Sequence, residues 1–241
     1  MFLNGHRGLS VVRELAASQH SVEAVYCPTR KLESVKKELS ISRDEIVIEG
    51  VDDVNAPEFI ESQLGSSLFV VAGFSTIFSP GLLNQPTYGT LNLHAGKLPG
   101  YRGGSPLNWQ IIQGEPELGL SVIRMDERID CGNVMAQEIF KISLTDTINN
   151  AHERADKIFP VLTIEAINRL EAGDSGTAQD EDKACYWHQR SDADGIIDWQ
   201  NTTAREVSNF VRAITRPYPG AHTSCNGKKL RIYSVSGDVP V

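Results

Sequence analysis

TLNLHAGKLPGYRGGSPLNW, residues 90–109, decides both the fold and the place to look for chemistry. Thr90 to Leu93 reads as a strand, a long turn rich in Gly and Pro follows, and a helix opens at Ser105-Pro106. Asn92 and His94 stand two apart, so on a strand they project to one face. They sit at its carboxyl end, where open α/β sheets hold their ligands. An amide donor beside an imidazole suits an electrophilic carbonyl, one group steadying a developing oxyanion while the other moves a proton. Taken alone, the two residues fit equally a surface His and a turn-capping Asn. A second apolar run, Leu120 to Met125, then leads into DERIDCG, and a carboxylate there, Asp130, could hold the imidazole in one tautomer.

Working outward, strand and helix patterns alternate. Met1 to Leu3 looks like the tail of a first strand, short enough to place its true start upstream. The turn Asn4-Gly5-His6-Arg7-Gly8 leads into a helix with Leu9, Val12 and Leu15 on one face, without the GxGxxG of a dinucleotide site. Val22 to Cys27, Glu45 to Ile48 and Leu68 to Ala72 read as strands, separated by helices at Arg30 to Leu39 and Ala56 to Leu64. This rhythm predicts an α/β fold: a Rossmann-like, mostly parallel sheet with helices on both faces.

Further along, Ser105 is expected to cap a helix that turns Leu107, Ile111 and Ile112 inward, followed by strands over Leu120 to Met125 and Val134 to Phe140. Thr145 or Asp146 should cap a long helix to about Leu170, kinked or broken at Pro160. Gly173 to Glu181 is the best linker candidate, which divides the chain into a catalytic domain, 1–176, and a small C-terminal α+β subdomain, 177–241. The latter holds the aromatic, charged run CYWHQRSDADGIIDW, a helix over Thr203 to Thr215, and a hairpin turning at Asn226-Gly227. Aromatics beside Gln and Arg form either a platform for a base and a phosphate or the packing of a small subdomain.

A net charge of −8 over 241 residues disfavours a general nucleic-acid binder, though not small anions met by a local basic patch. Cys27, Cys131, Cys185 and Cys225 lack metal-binding spacing and read as reduced thiols in a cytoplasmic protein. Cys131 beside Asp130 is either a small buried side chain or a nucleophile. No apolar run is long enough to span a membrane, and no secretory signal or metal-ligand cluster is visible.

The run NLHxxxLPxYRGxxP followed by DxG resembles the formyltransferases that use 10-formyltetrahydrofolate, over about Leu68 to Tyr233. That resemblance implies an Asn-His-Asp catalytic set at Asn92, His94 and Asp130. It also implies a pteridine pocket in the loop after the Leu68–Ala72 strand, at Ile77, Phe78 and Leu83, with Asp126 added. Apolar residues that merely cover the sheet are the other reading of that loop. Among the family's branches, the segments around WHQR and PYPG look most like those acting on a nucleotide-linked amino-deoxysugar, with a dTDP-amino-dideoxyhexose of the lipopolysaccharide O-antigen kind expected. Methionyl-tRNA, another small amine, or water (a formyltetrahydrofolate hydrolase) are the alternatives. On the sugar reading Lys97, Arg102 and Arg190 are candidates for the diphosphate and Trp187 and Tyr218 for the base, which places the nucleotide between the catalytic domain and the 183–220 segment. A homodimer is expected through the C-terminal part, where the hairpin leaves exposed edges.

Overall fold

The computed structural model describes residues 1–39 and 46–236. Its first half is built from short parallel units: β1 (Phe2–Leu3), α1 (His6–Ala17), β2 (Ala24–Cys27), α2 (Leu32–Leu39), β3 (Val47–Gly50), α3 (Pro57–Ser62) and β4 (Phe69–Ala72). Then come α4 (Pro80–Leu83), β5 (Thr90–His94), β6 (Arg102–Gly103), α5 (Pro106–Ile112), β7 (Glu117–Arg124), β8 (Val134–Lys141) and α6 (Ile148–Glu171). The chain closes with β9 (Tyr186–Trp187), α7 (Ala204–Ile214), β10 (Ala221–Cys225) and β11 (Lys228–Ile232). The expected third strand began at Glu45, which lies outside the described residues.

Seven strands form one sheet in the order β3-β2-β1-β4-β5-β7-β8. The pairs β2–β3, β1–β2, β1–β4 and β4–β5 are parallel, whereas β5 and β7 run antiparallel with His94 opposite Ser121. This is the mostly parallel, helix-flanked α/β sheet that the alternation predicts. The chain winds from β1 out to β3 and then resumes on the other side of β1 with β4. A crevice opens at such a reversal, beyond the carboxyl ends of the strands. The loop after β4 and the last residues of β5 both emerge at that end.

Sequence and packing agree along these units. Leu9, Val12 and Leu15 are buried on α1, as the helical spacing requires. Gly8 lets that helix approach β1, since a β-carbon there would meet Leu3 Cβ at 2.3 Å. Phe2 is completely buried and sits among the rings of Phe69, Phe78, Phe74, Tyr26 and Phe59, with centroids 4.8–6.2 Å away. Val54, Val71, Leu82 and Leu83 complete this cluster.

The described residues gather into two compact units, one formed by Met1–His94, Leu120–Glu138 and Ala155–Asp180, the other by Ala95–Gly119, Ile139–Arg154 and Glu181–Val241. In the second, α5 and α7 are joined by Asn108 Nδ2 donating to the Ala213 carbonyl at 2.8 Å. The β10–β11 hairpin turns at Asn226-Gly227 with φ of 50° and 72°, the left-handed pair that an Asn-Gly turn supplies. Thr203 and Glu206 close a reciprocal capping box on α7: Thr203 Oγ1 accepts from Glu206 N at 3.2 Å and Glu206 Oε2 accepts from Thr203 N at 2.7 Å. Thr203→Ala should therefore cost about 1 kcal/mol of stability in urea unfolding. An unchanged midpoint would show that the cap carries none of it.

Three expectations need correction. Ser105 occupies the N-cap position of α5, but at φ 50° its hydroxyl accepts from Gln189 Nε2 and Arg190 N instead of capping the helix. Helix α6 begins after Thr147, because Asp146 is held in a local turn with Ser143, and it runs through Pro160 as one helix. Strand β7 starts at Glu117, ahead of the expected Leu120, and the Gln110 amide oxygen accepts from Gly119 N at 2.7 Å within that added stretch.

Candidate active site

Strand β5 carries Asn92 and His94 on one face at its carboxyl end. His94 is 5% exposed. Asn92 is half-buried, and among the described residues no hydrogen bond engages its side chain, which leaves the amide available to a ligand. After β7 the chain turns back through residues 125–133. Met125 N donates to Thr90 O at 2.8 Å and Arg124 N to Asn133 O at 2.9 Å, which pins both ends of the turn to the sheet. The loop delivers the Asp130 carboxylate to the imidazole, with Oδ2 3.4 Å from His94 Nδ1 and the two side chains 11% and 5% exposed. A carboxylate at Nδ1 favours the tautomer with its proton there and leaves Nε2 directed elsewhere.

Two backbone features bring Asp130 into place. The residue sits at φ 53°, a left-handed conformation that Asp tolerates better than most. Gly132 follows, and a β-carbon on it would lie 1.8 Å from the Arg124 carbonyl oxygen, so only glycine lets the two backbones cross so closely. Cys131 between them is buried with its thiol against the Ile129 carbonyl at 3.3 Å, which agrees with the small buried side chain of the two readings.

The loop after β4 divides its expected residues. Ile77 is 70% exposed, whereas Phe78 and Leu83 belong to the core cluster around Phe2. Asp126 is half-buried and its Oδ1 accepts from Arg128 N at 2.8 Å, which fixes the first turn of the loop.

The five residues expected to meet a sugar nucleotide lie in the other unit, and most have protein partners. Arg102 is wholly buried, its guanidinium paired with both carboxylate oxygens of Glu181 at 2.9 and 3.0 Å and bonded to Tyr186 Oη. Trp187 stacks on Tyr101 at 5.6 Å and 11° and meets Trp109 at 4.9 Å, with its Nε1 donating to Gly100 O. Arg190 lies over the rings of Trp109 and Phe210 and donates to Asp194 O; burial lowers its pKa. Tyr218 shares a 3.0 Å hydrogen bond with His152. Lys97 is half-buried, with its stem packed over Gly119. Aromatic packing, the alternative left open for the CYWHQR segment, engages Trp187 and Arg190, while Arg102 is held by Glu181.

Gln179 went unnoticed because it fell in the expected linker. That segment is folded against the loop that carries Asp130: Thr177 and Val134 exchange backbone bonds at 2.8 and 2.9 Å, and Gln179 Nε2 donates to the carbonyls of Asp130 and Gly132, both at 2.7 Å. A TAQD run after GDSG carries no local sign of such a bond, since its partners lie more than 40 residues earlier. Among the described residues no group of three or more His, Cys, Asp or Glu could hold a metal ion, and no helix is long and apolar enough to cross a membrane.

Residues 10–167 match the family described as "Formyl transferase", and residues 190–238 match "Formyl transferase, C-terminal domain". The chain belongs to the formyl transferase family. The first match contains Asn92, His94 and Asp130, and it reaches closer to the amino terminus than the motif resemblance did. The chain is 35% identical over 186 residues to a methionyl-tRNA formyltransferase of Geobacter metallireducens, covering 76% of this chain and 59% of that protein. It thus spans less than two thirds of that relative's length. Solved structures of similar fold include a 4-N formyltransferase from Francisella tularensis (TM-score 0.78, 21% identity, 98% of this chain and 96% of that one). A sugar N-formyltransferase from a Shewanella species follows (TM-score 0.72, 20% identity, 100% and 97%). HypX from Aquifex aeolicus in complex with tetrahydrofolic acid matches over 86% of this chain and 36% of that one (TM-score 0.65, 20% identity).

Proposed function

We propose that the protein transfers the formyl group of 10-formyltetrahydrofolate to the primary amine of a nucleotide-linked amino-deoxysugar. The observation that carries the transfer chemistry is the His94–Asp130 pair, buried at the carboxyl end of β5 beside the unengaged amide of Asn92. The lone pair of the neutral amine attacks the formyl carbon, and the carbonyl electrons move onto oxygen. The Asn92 amide donates to that oxyanion from a position already set, so no reorganisation opposes its part of the step, and His94 joins it through Nε2–H once that nitrogen has received the proton relayed from the new ammonium. Asp130 keeps the imidazole oriented and takes up or relays the proton leaving the new ammonium. As the oxyanion collapses, the bond from carbon to N10 breaks and N10 receives a proton. A formyl amide and tetrahydrofolate result.

For the folate, support comes from the family motif and from the HypX structure solved with tetrahydrofolic acid. On this reading Ile77, exposed on the loop after β4, meets the pteridine directly, while Phe78 and Leu83 support that loop from the core. For the sugar nucleotide, support comes from the near-complete mutual coverage with the Shewanella sugar N-formyltransferase and from the charge of −8, which opposes a polyanion such as tRNA. With Arg102 and Arg190 engaged by protein groups, Lys97 is the diphosphate candidate of choice, and Tyr218 is favoured over the stacked Trp187 for the base.

One observation favours a second reading, the 35% identity to a methionyl-tRNA formyltransferase. A mass measurement separates the two. The protein is incubated with 10-formyltetrahydrofolate and, in parallel, with dTDP- and UDP-linked amino sugars, methionyl-tRNA, or buffer alone. Gain of one formyl group on an amino sugar is expected. Formylation of methionyl-tRNA alone, or formate release at the same rate without any amine, would overturn the proposal.

A further inference from the structure

We infer that Gln179 is a positioning residue for the reaction: its side-chain amide sets the Asp130 carboxylate against His94 by holding the backbone on both sides of Cys131. This rests on the formyl-transfer reading of the site. An amide nitrogen carries two hydrogens, and here each has its own acceptor, the carbonyl of Asp130 and that of Gly132, both at 2.7 Å. Those two carbonyls flank the peptide units whose rotation would swing the Asp130 side chain. Asp130 also stands at φ 53°, a conformation that persists only where its surroundings enforce it.

The rest of the strap keeps the amide in register. Thr177 pairs with Val134 in both directions, Asn133 Nδ2 donates to Ser175 O at 2.9 Å, and Gly176 N donates to Asp174 Oδ1 at 2.8 Å. Asp174 is itself bonded to Arg169 on α6 at 2.8 Å. The helix therefore anchors the strap, and the strap reaches residues 130–134 through a short ladder in which only the Gln179 rung touches the catalytic aspartate. Of these contacts, that rung alone has a direct consequence for the imidazole, because the His94–Asp130 approach of 3.4 Å leaves little room for a shift of the loop.

Three variants of the full chain test this: Gln179→Ala, Gln179→Glu and, as a comparison, Asn133→Ala, which cuts another rung of the same strap. The readouts are kcat and KM for 10-formyltetrahydrofolate with the best amine of the panel, and the ¹⁵N resonances of His94 in unliganded protein labelled at histidine. Gln179→Ala should lower kcat about tenfold with KM for the folate within about twofold, and should move the His94 signals from one Nδ1-protonated tautomer to a mixture. Gln179→Glu, which turns a carboxylate towards two carbonyls, should do the same or worse. Asn133→Ala should leave the His94 signals in place. Unchanged His94 resonances in folded Gln179 variants would overturn the inference, as would equal effects from Asn133→Ala, which would mark the strap as structural only. If the wild-type protein formylates no amine, the transfer reading has failed, and the His94 signals still decide whether Gln179 positions Asp130.

Discussion

His94→Asn, Asn92→Ala and Asp130→Ala should each lower kcat on the order of 10²-fold or more while the protein remains folded. The size follows from where the three groups act. On the proposed mechanism Asn92 and His94 donate to an oxygen that becomes fully charged only at the tetrahedral stage, so their loss is felt in the transition state more than in folate binding. His94 is 5% exposed, and donors aimed at a developing charge in a dry site are worth several-fold more than in water. Asparagine at 94 keeps an amide donor and a similar volume but neither protonates nor reports to Asp130. KM for 10-formyltetrahydrofolate should change little in all three variants, because the loop after β4 is untouched. Circular dichroism and thermal unfolding check that each fold survives. Turnover near wild type in any one of them would remove that residue from the chemistry.

The parts of the fold that could be read from the chain are those where neighbours in sequence are also neighbours in space. The alternation of short apolar runs with helical patterns names the parallel sheet, and Asn226-Gly227 names its hairpin, because each signal is complete within a few residues. Asn92 and His94 could be paired because two residues on a strand share a face. Where a residue's surroundings could not be read, its partners lay far away in the chain. Arg102 reads as a phosphate candidate, and Glu181, 79 residues later, pairs with both ends of its fork. Trp187 reads as a base platform, and the rings of Tyr101 and Trp109 pack against it while it stays half-buried. Strands β6 and β9 pair over two residues each, too short to have any period of their own. The segment from Gly173 to Glu181 has the composition of a linker, yet Gln179 makes it part of the loop that carries Asp130.

That loop is also where a single methyl group should do the most damage to the architecture. Gly132→Ala would put a β-carbon 1.8 Å from the Arg124 carbonyl oxygen and close to its carbonyl carbon, at 2.8 Å. Both are backbone atoms of β7, so no rotamer change relieves the clash. Arg124 cannot yield cheaply either, since its own N–H donates to Asn133 O at 2.9 Å and the next residue's N–H to Thr90 O at 2.8 Å. Either the 130–132 turn moves, which carries Asp130 away from His94 and breaks the Gln179 bonds, or the end of β7 is forced off β5. Overpacking of this kind costs about 3 kcal/mol. For a chain of this size that is a fall of roughly 6–12 °C in Tm. Turnover should fall at least as far as in Asp130→Ala, since the same carboxylate is displaced. Gly81→Ala is the matched control: it sits in α4 with the nearest atom 3.7 Å from the new β-carbon and no positive φ. It should keep Tm and kcat close to wild type. A Gly132→Ala protein with unaltered Tm and turnover would mean that the crossing of the two backbones is looser than 1.8 Å implies, and with it the reason for a glycine beside Asp130.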